Sequence, residues 1–181
     1  DNFVLFLENG RYQLTINGET KDVEAAAATY QKLAIVMDGA ANQVNFYING
    51  ELKRALSYGN ITGDWSANQW VLGATNPNAP SNYYTGLIDE VAFYNTTLTL
   101  QRLQLNASLA ETGGTDVGSP HLQNYFSLNE GEGTQLEDFG SARTGLGTLE
   151  NASFSIIGYR QAENPHEFEP NLRKVNINAS N

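Results

Sequence analysis

Apolar and polar positions in this chain alternate mostly with period two, in short runs broken by turn residues. In "QVNFYING", Val44, Phe46 and Ile48 alternate with Asn45, Tyr47 and Asn49, the pattern of a half-buried strand. "FVLFLENGRYQLTINGE" predicts two strands joined at Asn9-Gly10, a hairpin dipeptide. "KLAIVMDGAANQVNFYINGE" predicts a second pair, joined around Asp38-Gly39. The string "INGE" closes both pairs, at Ile16–Glu19 and Ile48–Glu51, as reuse of one turn chemistry rather than a true repeat. "QWVLGA" (Gln69–Ala74) predicts another strand, in which Trp70 alternates with Leu72 and is expected in the core.

"YYTGLIDEVAFYN" (residues 83–95) predicts one further strand, with two carboxylates in its middle. Alternation would give one face Leu87, Asp89, Val91 and Phe93, and the other Ile88, Glu90, Ala92 and Tyr94. At least one carboxylate then points into an apolar layer. That costs roughly several kcal/mol unless it is hydrogen-bonded, paired or bound to a metal.

Helical signals are few. Leu98, Leu100, Leu103 and Leu105 predict one short helix near residues 98–108, with Thr97 or Thr99 as its N-cap. The four alanines at 25–28 suit a helical turn but lie between strands. "TGGTDVGSP" (112–120) has linker composition. "LQNYFSLNEGEGTQLEDFG" and "GLGTLENASFSII" add strands and turns, and residues 159–181 look like a polar arm or linker. The fold predicted is all-β, an antiparallel β-sandwich with one short helix.

A length of 181 residues suits one domain, or one domain and a fragment of a second. A formal charge of −10 excludes nucleic acid as a partner, since phosphate binding needs basic patches. Without cysteine there is neither a disulfide nor a thiolate metal site. No apolar run has the length of a membrane span. The sequence begins at Asp1, with no initiator Met and no signal-type segment, as expected of a processed or trimmed chain. Asn60, Asn95, Asn106, Asn151 and Asn178 each open an N-x-S/T triplet, the acceptor pattern for N-glycosylation.

Three blocks together carry a family resemblance: "QVNFYINGEL", then "QWVLGA", then "YYTGLIDEVAFYNTTLTLQRL". In this order and spacing they resemble the second half of a laminin-G-like, concanavalin A-type jelly roll. "YFSLNEGEGTQLEDFGSARTGLGTLENASFS" resembles the beginning of such a domain. The end-like half (about 30–110) therefore precedes the start-like half (about 121–155). The expected division is 1–111 as the C-terminal-type half, 112–120 as linker, 121–158 as N-terminal-type strands, and 159–181 as arm. Three arrangements stay open: a piece cut across tandem domains, a circular permutant closed within one chain, or strands lent to a neighbouring copy. A half sandwich with bare edges is unstable and prone to aggregate, which favours closure within or between chains.

The resemblance implies a structural calcium ion held by Asp89 in "LIDEV" and Glu130 in "NEGEG", with backbone carbonyls completing the shell. The alternative is that Asp89 accepts backbone N–H bonds or pairs with a cation such as Arg143. Enzyme chemistry is not expected. Retaining glycoside hydrolysis needs paired carboxylates, and no E-x-D-x-E or E-x-D-x-x-E run occurs; Glu130/Glu132 and Glu137/Asp138 lie in turn-like context. His121 and His166, the only histidines, fall beside the linker and in the arm.

Tyr58, Trp65, Tyr83 and Tyr84 are the candidate ligand-binding residues, since aromatic faces at loop tips stack on sugar rings; the alternative for them is packing alone. The expected function is a non-catalytic extracellular or cell-surface module. It would bind a glycan or matrix protein and be calcium-stabilised. A second expectation is a structural subunit of a fibre or sheath, built from copies that exchange strands.

Overall fold

The computed structural model describes residues 3–61, 70–74, 81–105, 119–141, 147–150, 152–155 and 174–177. The described strands pair antiparallel throughout, and the chain divides into two compact units. The first comprises Asp1–Trp70 with Thr97–Ala107, and the second Val71–Thr96 with Ser108–Asn181.

The first unit is built from hairpins. Strands β1 (Phe3–Glu8), β2 (Arg11–Ile16) and β3 (Glu19–Ala25) form one sheet; β4 (Leu33–Asp38), β5 (Gln43–Ile48) and β6 (Glu51–Ser57) form another. Three connections are two-residue Asn-Gly turns with both residues at positive φ: Asn9 and Gly10 (50°, 73°), Asn17 and Gly18 (48°, 83°), Asn49 and Gly50 (52°, 77°). This is the backbone of a type I′ turn, whose twist matches that of the strands it joins. Between β4 and β5 the Asp38 carboxylate accepts from the N–H of Ala40 and Ala41, both at 3.1 Å.

The inward faces of the two sheets share one core. Leu14, Ile16 and Val23 come from one sheet and Val44, Phe46 and Ile48 from the other, closed by Tyr12, Tyr58 and Ile61. The Arg54 guanidinium donates to the Val23 carbonyl at 2.8 Å, tying β6 to β3. Residues 100–105 form the helix α1. Thr99 caps it, its hydroxyl accepting from Arg102 N at 3.3 Å, and Leu103 is buried. The four alanines do not turn helical: Ala26 N donates to the Gly10 carbonyl and Ala27 N to the Gln31 side chain, leaving no i→i−4 bonds there.

"QWVLGA" is not a strand in its described part, residues 70–74. Gly73 at φ +82° breaks the extended run, and Trp70 is 41% exposed rather than in the core. Its ring packs edge-on to Phe3, with centroids 5.7 Å apart.

The second unit holds β7 (Gly86–Ile88), β8 (Val91–Tyr94), β9 (Leu122–Phe126), β10 (Gln135–Leu136), β11 (Gly147–Thr148), β12 (Ser153–Ser155) and β13 (Lys174–Ile177). The strand expected over 83–95 is thus two strands. Glu90 adopts φ +56° between them, a conformation uncommon for a side chain other than Gly or Asn. The kink resets the alternation, so Ile88 and Val91 pack on the same cluster, with Phe126, Leu128, Leu136 and Phe154. β8 pairs with β9, Val91 opposite Phe126 and Ala92 opposite Tyr125. The end-like and start-like stretches therefore hydrogen-bond to each other. Residues 159–181, expected as an arm or linker, contribute β13, which lies between β12 and β7. Of the expected linker, 112–118 lie outside the described residues.

Candidate aromatic face and carboxylate corner

Two segments of the second unit meet at a backbone hydrogen bond, Tyr84 N donating to the Gly73 carbonyl at 2.7 Å. Asn82, at φ +49°, turns the chain just before it. Gly86 leaves room for the Tyr84 ring, whose Cζ would lie 2.5 Å from any Cβ placed there. Held this way, Tyr84 remains 36% exposed, Tyr83 45% and Leu72 46%. Ser81 and Asn82, also exposed, add hydroxyl and amide groups. Exposed aromatic and apolar side chains beside hydrogen-bonding groups suit a ligand with an apolar face and a polar rim.

Tyr58 is placed elsewhere. It is buried in the first unit's core, and its hydroxyl donates to the Leu14 carbonyl at 3.0 Å. At 5% exposure, with Lys21 Nζ 5.1 Å from the ring centroid over one face, its ring is not open for stacking. Burial, then the nearby Glu19 carboxylate, pushes the Tyr58 hydroxyl up to about 12. Glu19 itself is held low by its bond to Lys21 and by the N–H of Gly59. A tyrosine whose folded pKa is raised contributes stability below its ordinary value near 10, and loses it as pH rises towards 12. Tyr58→Phe is therefore expected to lose about 1 kcal/mol at pH 7, from the missing hydrogen bond. It should then fall less steeply than the parent above pH 10, which urea midpoints measured at several pH values will show. Parallel curves would refute this.

The carboxylates differ sharply in their surroundings. Asp138 is buried, and three donors surround it: Asn124 Nδ2 at 2.6 Å, Tyr125 N at 2.9 Å and Gly140 N at 2.9 Å. The sequence signal for it was present, since Asp two residues before Gly in "EDFG" is an Asx-turn pattern. Phe139 N donates to the Tyr125 carbonyl and Ser141 N to the Leu122 carbonyl, both at 2.8 Å, so residues 138–141 run along β9. The Tyr125 hydroxyl donates a hydrogen bond to Glu90 Oε2.

Glu130 accepts from Glu137 N at 2.9 Å through Oε1, while its Oε2 is buried with no hydrogen-bond partner among the described residues. The Asp89 carboxylate also has a buried oxygen, Oδ1. Because Val91 opposes Phe126, Asp89, just before β8, and Glu130, shortly after β9, belong to the segments that leave the same end of the β8–β9 ladder. Among the described residues no group of three or more His, Asp or Glu is placed to hold a metal. His121 is exposed, with Nδ1 3.2 Å from Asn95 Oδ1. Asn60 and Asn95 are exposed. Trp65, Asn106, Arg143, Asn151, His166 and Asn178 lie outside the described residues.

A family model described as the concanavalin A-like lectin/glucanases superfamily, of laminin-G type, matches residues 2–104, more than half of the chain. A solved structure of a candidate carbohydrate-binding protein from Bacteroides ovatus matches with a TM-score of 0.62 and 18% identity. The match covers 82% of this chain and 47% of that one, so the chain spans about half the length of its structural relative. No curated protein sequence matches.

Proposed function

The chain belongs to the concanavalin A-like lectin/glucanase superfamily, and from that premise we propose that it is a non-catalytic carbohydrate-binding module acting outside the cell. The observation that carries the reading is the exposure of the adjacent Tyr83 and Tyr84, which follow the exposed Ser81 and Asn82 in the chain and are tied by the Tyr84 N–H to Gly73, next to the exposed Leu72. The carbohydrate-binding description of its structural relative supports the same class. Among the described residues no helix is long and apolar enough to cross a membrane. Asp138 accepts from the backbone N–H of Tyr125 and Gly140, and Glu130 from that of Glu137, which favours a structural role for both.

The test is retention on immobilised polysaccharides, followed by calorimetry on any that bind. Tyr83→Ala and Tyr84→Ala are each expected to weaken binding about tenfold, the effect of removing one aromatic anchor worth about 1.4 kcal/mol. Binding unchanged in both variants would move the site off this face.

Calcium belongs to the same proposal. Glu130 Oε2, buried without a hydrogen-bond partner among the described residues, is an oxygen that a hard cation would satisfy, with Asp89 as second carboxylate and backbone carbonyls to complete the shell. Bound calcium would supply positive charge where two carboxylates flank one ladder end.

A second reading, a fibre subunit built by strand exchange, draws on β13, a strand far along the chain that lies between β12 and β7. Light scattering and melting, each with and without chelator, separate these readings. The calcium-braced module is expected as a monomer that melts several degrees lower with chelator. Large particles that persist on dilution favour the fibre, and melting indifferent to chelator removes the calcium.

A further inference from the structure

The two units carry very different charge. The stretches of the second unit contain 12 Asp and Glu against 4 Lys and Arg, hence −8; those of the first contain 8 against 6, hence −2. Almost all of the chain's formal −10 therefore belongs to the unit that presents Tyr83 and Tyr84. Among its described residues, Lys174 is the only Lys or Arg, against seven carboxylates: Asp89, Glu90, Glu130, Glu132, Glu137, Asp138 and Glu150.

Sulfated, phosphorylated or uronate-rich glycans are held by Arg forks, Lys ammonium groups or several converging backbone N–H groups. The aromatic face has no Lys or Arg among residues 71–96, and its own polar side chains, Ser81 and Asn82, are matched to hydroxyls. A polyanion approaching it also meets the summed field of the unit's net negative charge, which acts over roughly 30 Å at 0.01 M salt and roughly 8 Å at physiological salt. Taking the carbohydrate reading above as its basis, we infer that the saccharide received at Tyr83–Tyr84 carries no acidic groups. It is a neutral glycan, recognised by ring stacking and hydroxyl hydrogen bonds. The calcium proposed for Glu130 would leave the unit negative.

The experiment uses the full chain on an array of neutral oligosaccharides (gluco-, xylo-, manno- and galacto-configured) beside heparin, chondroitin sulfate, polygalacturonate and alginate. It is run at 0.01 M and 0.3 M salt. Binding confined to neutral glycans, changing less than twofold between the two salts and falling about tenfold in Tyr83→Ala and Tyr84→Ala, is the expected result. Heparin or polygalacturonate bound as tightly as any neutral glycan at 0.01 M salt overturns the inference while leaving the carbohydrate reading intact. A neutral glycan whose binding survives both substitutions overturns the assignment to this face. An array without binding overturns the carbohydrate reading itself, and the inference with it. Unchanged melting of the two variants confirms that lost binding is not lost folding.

Discussion

Asp138→Ala is expected to lower the stability of the second unit by about 3 kcal/mol, because buried donors left unsatisfied cost about 1–3 kcal/mol each. Two of the donors are backbone N–H groups, of Tyr125 in β9 and of Gly140, and neither can turn to water. Tyr125 is itself only 5% exposed. Alternative packing is blocked too: a Cβ on Gly140 would collide with the Gln123 carbonyl and lie 2.5 Å from Asn124 Cα, so residues 138–141 already touch β9 backbone to backbone. Asp138→Asn separates charge from shape. It keeps one oxygen for both backbone donors but turns an amide NH2 towards Asn124, and should cost about half as much. Urea unfolding followed by tyrosine fluorescence, with hydrogen exchange at the Tyr125 amide, reads both effects. An unmoved midpoint in Asp138→Ala would mean that water replaces the carboxylate freely.

Phe46→Ala should cost the first unit about 4 kcal/mol, within the range for emptying a buried aromatic site. The side chain is fully buried between the two sheets, and its ring lies 5.6 Å from that of Tyr12. Its β-strand neighbours are Ile35 on one side and Arg54 on the other, so strand pairing holds the backbone while the cavity opens. Against a total of about 5–15 kcal/mol for an ordinary domain, such a loss is a large fraction of the whole. Phe46→Leu, which fills most of the volume, should lose about a third as much. A loss below about 1 kcal/mol for the alanine variant, at an unchanged denaturant slope, would mean that the sheets do not close on this residue.

Much of the first unit was legible because its rules are local. Asn9-Gly10 and both "INGE" strings named their turns correctly, since an Asn-Gly pair at positive φ has few other uses. The same turns implied strands after them that the alternation did not reveal. In β3 only Val23 is buried, and in β6 both Leu52 and Arg54 are exposed, so neither shows a clean period of two. The three motif blocks identified the family, and the family model agrees.

The second unit was harder for a physical reason. Its decisive features are a backbone reversal at Glu90 and pairings between distant residues, and composition encodes neither. Period-two reasoning assigned Ile88 and Val91 to opposite faces, which holds only if no residue between them turns left-handed. The turn-like context of Asp138 argues against a catalytic pair with Glu137 but does not name its partners, which are donors from β9 and Gly140. Tyr58 was considered as a loop-tip aromatic, but Leu14 and Lys21 occupy it. Of the proposed ligand face, Tyr83 and Tyr84 are exposed as expected.

The position of β13 has a consequence for how the protein is made. Ile88 pairs with Val175, so on the ribosome the two emerge roughly 4–17 s apart at ordinary elongation rates. The first unit's hairpins close in about 1–10 μs once their residues are out. The β7 edge, by contrast, waits through that whole interval with its ladder groups open, an invitation to any passing strand. Slowing translation within residues 89–173 would lengthen the exposure without altering a single native contact. The yield of soluble protein should therefore depend on codon choice in that stretch more than in the first sixty residues.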